Sequence, residues 1–290
     1  MSNKLVSFLF QTNAFKVCPE NKPFWLTSGL ISPYFVNTHF LYGNESDSVA
    51  LLNFITNALE TESKTDLPWL IFEKVSEQYE KNEVFKETID SLLDLIKENI
   101  DVQNIDYVSG GERRDWYFSM MIANLLGVPH ITLFKDQSAV VSTCDFEEST
   151  EITELKGKKV LHVADLLTKA SSYVNYWGPA IEKLGSQIMW SAVVVDRLEG
   201  GDNTLKNLNI ESFSLVKLDN SLFEEAHELN IITTAQLNML KEFKIDPYTY
   251  MRNFLISHPE FLENALNSDE PKTVKRAKYC IDNNLYNLNK

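Results

Sequence analysis

From about residue 46 to residue 100, apolar residues recur at spacings of three and four. SVALLNFITNALE, WLIFEKVSEQYE and FKETIDSLLDLIKENI each carry one apolar stripe, which predicts three amphipathic helices covering a core. Then the rhythm changes. DYVSGG reads as a strand ending in glycines, and ERRDWYFSMMIANLLG as a helix closed by Gly127. HITLF and KKVLHVAD predict two more strands, and KASSYVNYWGPAIEKLG a helix with Gly185 just past its end. QIMWSAVVVDR predicts a fourth strand, LEGGDN a turn and IESFSLVKL a short final strand. Beyond Asn220 the helical pattern returns, with a break at IDPYTY and a stop near SHPEF.

Strands separated by helices of about a dozen residues imply an α/β fold, a parallel sheet with helices on its faces. The rhythm divides the chain into residues 1–42, which mix short apolar runs with turn signals, a helical segment 43–105, an α/β core 106–220 and a helical C-terminal extension 221–290. Ligands of such sheets bind beyond the carboxyl ends of the strands. Three of those ends are rich in polar residues: GGERRD, ADLLTKASS and DRLEGGD.

Composition narrows the field. The 290 residues are 44% hydrophobic and 23% charged, enough for a packed core. No apolar run of membrane-spanning length occurs, and MSNKLVSFLFQTNAF has no small-residue cleavage site, so neither a membrane span nor a signal peptide is expected. A net charge of -14 argues against nucleic acid as a partner, although a local Arg/Lys cluster can still draw a small anion into a cleft. Cys18, Cys144 and Cys280 are far apart and odd in number, as reduced thiols of a cytoplasmic protein would be. The five histidines show no metal-site spacing, so no protein-held metal is expected.

The candidate chemistry centres on VLHVADLLTKASS, residues 160–172, a buried strand running into a phosphate-sized loop. Asp165 stands at the strand end, and Thr168, Lys169, Ser171 and Ser172 offer three hydroxyls and a charge to an anion at a helix start. A Ser/Thr helix cap is the alternative for the same residues. Arg113 and Arg114 follow Gly110 and Gly111 and precede a helix, where cations oppose the helix dipole. A bound anion would relieve that conflict; Glu112 and Asp115 are the alternative partners. For Arg197 a simple ion pair with Asp196 is the alternative to a ligand contact. Trp25 and Trp116 read as packing residues.

Taken in order, these stretches resemble the type I phosphoribosyltransferases, and the orotate phosphoribosyltransferase family most closely. FWLTSGLISPYFVN (24–37) is similar to that family's substrate segment, VSGGERRD to its pyrophosphate loop, GKKVLHVADLLTKASS to its motif for 5-phosphoribosyl 1-diphosphate (PRPP), and VVVDRLEGG to the strand end carrying its base-contacting arginine. The resemblance implies a parallel sheet flanked by helices, with an N-terminal hood. It implies transfer of ribose 5-phosphate from PRPP to a pyrimidine base, with Mg2+ bound mainly through PRPP, in a homodimer. By the same resemblance Asp165 would hold ribose hydroxyls, and Thr168, Lys169, Ala170, Ser171 and Ser172 the 5-phosphate. Arg113, Arg114 and Lys135 would take the pyrophosphate, and Phe35 and Arg197 the base.

The sequence departs from the pattern in places. Ala164 replaces the first of two acidic residues, Lys169 a threonine and Ala170 a glycine, while Thr27 and Val36 replace a lysine and a phenylalanine. KDQSAVVSTCDFEEST, at the place of the family's lysine-bearing flexible loop, offers only Lys135. These losses raise the alternative of a non-catalytic relative that binds PRPP or a nucleotide.

Overall fold

The computed structural model describes residues 3–288. Helix α1 (Asn3–Gln11) precedes four short strands, β1 (Phe15–Val17), β2 (Phe24–Trp25), β3 (Ile31–Ser32) and β4 (Tyr34–Val36). Helices α2 (Glu45–Thr61), α3 (Leu67–Lys81) and α4 (Glu83–Asn99) follow. The α/β stretch then runs through β5 (Tyr107–Gly111), α5 (Trp116–Leu126), β6 (His130–Leu133), β7 (Ala139–Ser142), β8 (Ser149–Glu151) and β9 (Lys159–Leu167). It continues through a π-helical turn (Tyr173–Trp177), α6 (Gly178–Lys183), β10 (Gln187–Asp196), α7 (Gly201–Asn207) and β11 (Glu211–Lys217). Five helices complete the chain: α8 (Asn220–Glu228), α9 (Thr234–Ile245), α10 (Pro247–Ser257), α11 (Glu260–Leu266) and α12 (Pro271–Asp282).

The four stretches suggested by sequence rhythm group into two compact units. The first holds residues 3–14 and 38–219; the second holds 15–37 and 220–288. The helices at 45–99 therefore share a core with the sheet, because their stripes are too apolar to stay uncovered. In α4, Val84, Phe85, Thr88, Ile89, Leu92 and Ile96 are buried, and Asn82 caps the helix by accepting from the Phe85 amide. The helix packs on β10 and β11.

The first unit's sheet has the order β11-β10-β9-β5-β6-β7-β8. The first five are parallel, as the βα alternation predicts, while β7 pairs antiparallel with both β6 and β8. Strands β7 and β8 occupy the stretch where the resemblance puts the family's lysine-bearing flexible loop. Too few residues separate β6 from β7 for a parallel crossover, so the chain folds straight back. Lys64 fixes the turn by donating to Asp136 and Ser138. Alanine and valine at 192–195 of β10 are buried without alternation, as a strand covered on both faces requires. LEGGDN also holds more structure than a turn: Gly200, at φ 90°, leads directly into α7.

In the second unit β1 pairs with β4 and β2 with β3, both antiparallel. Helices α8 to α12 accompany them, and the predicted break at IDPYTY falls between α9 and α10, where Pro247 starts the new helix. Trp25 stacks on Phe261 at 5.5 Å between ring centroids. Among the described residues no helix is long and apolar enough to cross a membrane.

Candidate functional site

Strand order fixes where a ligand can sit. The chain leaves β5 toward β6 on one side, while β9 and β10 build outward on the other, so β5 and β9 flank the point where winding direction changes. A cavity of about 270 Å3 opens at their carboxyl ends. Arg113, Arg114, Asp115, Asp165, Tyr173 and Trp177 are among its lining residues.

One wall is the turn after β5. Gly110 and Gly111 lie within the strand, and both are glycine for reasons of space. A Cβ on Gly110 would stand 2.0 Å from Ser119 Oγ, and one on Gly111 2.1 Å from a ring carbon of Trp177. The Glu112 amide donates to the Leu133 carbonyl, and the Glu112 carboxylate accepts from the Lys135 amide. Lys135 Nζ lies 3.9 Å from the same carboxylate. Arg113 donates to the Thr56 hydroxyl on α2. Arg114 is exposed, and its charge is felt across the site: burial pushes His39 down to about 3 with a smaller contribution from Arg114, and Arg114 also opposes the rise of the Asp165 pKa.

Asp115 behaves differently from its sequence expectation as a partner of the arginines. It occupies the N-cap position of α5, yet its carboxylate turns away from the helix amides. Oδ2 accepts from the Gly111 amide at 3.1 Å and Oδ1 from the Asp165 amide at 2.9 Å, so one side chain ties the two strand ends together. His162 Nε2 stands 3.5 Å from Oδ2, and His162 Nδ1 shares a 2.9 Å hydrogen bond with Ser109 on the neighbouring strand.

The other wall is the end of β9 and the loop after it. Asp165 faces the cavity. Burial, followed by the negative charge of Asp115, holds its carboxyl well above the usual carboxylate range. Ala164, one residue earlier, also lines the cavity and belongs to an apolar cluster with Leu133, Tyr173 and Trp177. Thr168, Ala170, Ser171 and Ser172 line the cavity, and the chain turns at Ala170 with φ 57°. A left-handed alanine costs about 1–2 kcal/mol, as a glycine-to-alanine replacement at this turn implies. The Tyr173 hydroxyl contacts Ser191 Oγ at 2.5 Å.

The structure thus brings Asp165, Thr168, Ala170, Ser171, Ser172, Arg113, Arg114 and Lys135 to one cavity. It does not bring Lys169 there: the side chain is exposed, immediately before the left-handed turn. Arg197 lies beside the end of β9, its amide donating to the Leu167 carbonyl, and its guanidinium pairs with Glu199 at 2.9 Å. Asp196 accepts from the Leu198 amide. Phe35 belongs to the second unit, where it packs edge-on against Phe24 at 4.7 Å. A larger cavity of that unit, about 1180 Å3 beside residues 27–29 and α12, gathers none of the expected site residues.

Sequence reasoning missed Tyr173 and Trp177, which read as ordinary helix positions, and the turning of Asp115. The available signal was an aspartate at a helix start beside two arginines. Trp116 packs as expected, fully buried with its ring nitrogen donating to the Gly110 carbonyl. Among the described residues no three His, Cys, Asp or Glu side chains are grouped to hold a metal ion.

A polar, cation-bearing cavity at the switch point of a parallel-rich sheet is the place where α/β proteins take up small ligands. No protein-family model matches the chain. Over 159 residues it is 30% identical to an adenine phosphoribosyltransferase of Actinobacillus pleuropneumoniae, a match covering 51% of this chain and 86% of that protein. Its fold is similar to an orotate phosphoribosyltransferase of Francisella tularensis (TM-score 0.53, 15% identity), over 82% of this chain and 96% of that one. It is also similar to the UMP synthase of Leishmania donovani (TM-score 0.53, 17% identity), over 83% of this chain and 42% of that longer protein. The chain belongs to the type I phosphoribosyltransferase family, a family of enzymes.

Proposed function

We propose that the chain transfers ribose 5-phosphate from PRPP to a pyrimidine base of the orotate type. The convergence of two arginines, a carboxyl and a hydroxyl-bearing helix start on one cavity carries this reading. In the reaction the bond from ribose C1 to the diphosphate oxygen breaks as a bond from the base nitrogen to C1 forms. The nitrogen gives up its proton, and diphosphate leaves with the bonding pair. Charge therefore grows on the diphosphate, where Arg113, Arg114 and Lys135 would receive it. Thr168, Ser171 and Ser172 would hold the 5-phosphate, and Asp165 the ribose hydroxyls.

Magnesium fits this site as a companion of the substrate: among the described residues no side chains are grouped as a metal cage, so its oxygen ligands would come mainly from PRPP. When bound it supplies positive charge to the diphosphate. Arg197 is the proposed cation for a carboxylate on the base, since it follows the β10 end as the resemblance implies. A pyrimidine acceptor is supported by the FWLTSGLISPYFVN and VVVDRLEGG segments; the adenine-directed relatives make adenine the competing acceptor.

A second reading, a PRPP-binding relative without turnover, is favoured by one observation: Ala164 offers no carboxylate. Two measurements separate the readings. Melting with PRPP and magnesium at a hundredfold excess over Kd should show about 2.7 kcal/mol of stabilisation under either. Diphosphate release with orotate, or with adenine, then marks the enzyme and its acceptor. No melting shift with any phosphorylated ribose would sink both readings. Sedimentation tests the homodimer that the family resemblance implies.

A further inference from the structure

Asp115 and Asp165 are unusual neighbours. They arrive from different strand ends, both line the cavity, and a direct hydrogen bond from the Asp165 amide to the Asp115 carboxylate locks them together. A pair of carboxylates is costly at such close range unless one carries a proton or a ligand spans both. A pair with one proton presents one O–H donor beside several acceptor lone pairs. Two adjacent hydroxyls offer the complementary set, each donating once and accepting once. The residue next to Asp165 cannot supply the second carboxyl, because Ala164 has none to offer.

From this juxtaposition we infer that Asp115 and Asp165 together form a two-carboxyl clasp for the vicinal hydroxyls of ribose, with Asp115 as the second acidic contact. The inference rests on the ribose-phosphate reading of the cavity. It makes Asp115 a residue that touches substrate as well as a tie between β5 and β9. A purely structural tie needs only the two backbone bonds already made, to Gly111 and Asp165, and would be blind to the sugar.

The test compares ribose 5-phosphate, 2-deoxyribose 5-phosphate and inorganic phosphate by calorimetric titration of the full chain. Wild type should prefer the ribose over the deoxyribose compound about tenfold, the value of one good hydrogen bond near 1.4 kcal/mol. Asp115→Asn should cut that preference to about twofold or less while phosphate binding is retained. An equal loss for all three compounds makes Asp115 structural and overturns the clasp. So does a wild type that binds both sugars equally well. A wild type that binds neither sugar overturns the ribose-phosphate reading itself, a distinguishable result. Should Asp115→Asn fail to fold, Asp115→Ser keeps an oxygen for one backbone amide and is read against the same outcomes.

Discussion

At the end of β5 two glycines stand in ordinary strand geometry, and after β9 an alanine stands where the backbone is left-handed. The two regions use small residues for opposite reasons. Gly110 and Gly111 are small because Ser119 and Trp177 press against them. Ala170 is small but not glycine: its methyl is buried in the cluster that also holds Trp177. Glycine thus marks close packing at one end of the site, while the other end tolerates a strained turn in exchange for a buried methyl. A glycine-rich loop read from sequence need not be the loop that wraps the phosphate.

The largest expected effect comes from testing how dry the Ala164 side is. Ala164→Asp restores the family's acidic residue but places a carboxyl among Leu133, Tyr173 and Trp177. The cost should be about 3 kcal/mol or more, in the range of an uncompensated buried charge. Urea unfolding reads it as a lower midpoint at unchanged slope. A near-neutral result would mean that this side is wet, and that the carboxyl could be returned without disturbing Trp177.

Next is Gly111→Ala. The added methyl meets the Trp177 ring, and overpacking of this kind costs about 1–3 kcal/mol. Trp177→Leu in the same chain should recover part of the loss, because the two changes share one contact. If the pair of substitutions is simply additive, Gly111 is glycine for some other reason.

The sequence made much of this legible. Apolar periodicity located the helices at 45–99, and the βα alternation gave the parallel strands β5, β6, β9, β10 and β11. The polar strand ends pointed to the cavity because side chains there are freed from the core. The reversal into β7 and β8 was hidden, since a short valine pair does not reveal its direction. The grouping of residues 15–37 with the C-terminal helices was hidden for a similar reason: it joins segments far apart in the chain. Side-chain direction was the least legible. Nothing in ERRD shows that Asp115 turns back to two strand amides, or in KASSYVNYW that Trp177 comes to lie over Gly111.

Asp165→Asn sharpens the comparison through charge. Burial and Asp115 raise the Asp165 pKa in the folded protein, so the native state keeps a proton that the unfolded chain releases at ordinary aspartate pH. The associated stability is complete below that range and is lost as pH rises through the elevated folded value. Asparagine has no proton to lose there, so the variant should gain on wild type in melting temperature toward alkaline pH. Its affinity for PRPP should fall by about 1 kcal/mol, the value of a hydrogen bond between neutral groups. Parallel melting profiles across pH would show that Asp165 is not the titrating group.

The smallest effect should be Ala170→Gly, although the backbone alone predicts a clear gain. Relief of the left-handed alanine is worth about 1–2 kcal/mol. Against it stand a lost buried methyl, about 0.8 kcal/mol, and the greater freedom of glycine in the unfolded chain, about 0.5–1 kcal/mol. The opposing contributions nearly cancel, so the urea midpoint should correspond to wild-type stability within about 0.5 kcal/mol. Because the methyl faces the cluster with Tyr173 and Trp177, the loop backbone should keep its course and PRPP affinity should stay within about twofold. A stabilisation above about 1.5 kcal/mol would show that the methyl contributes nothing and that the turn is held only by its surroundings. A loss of the same size would show that packing of this alanine, rather than backbone freedom, shapes the phosphate loop.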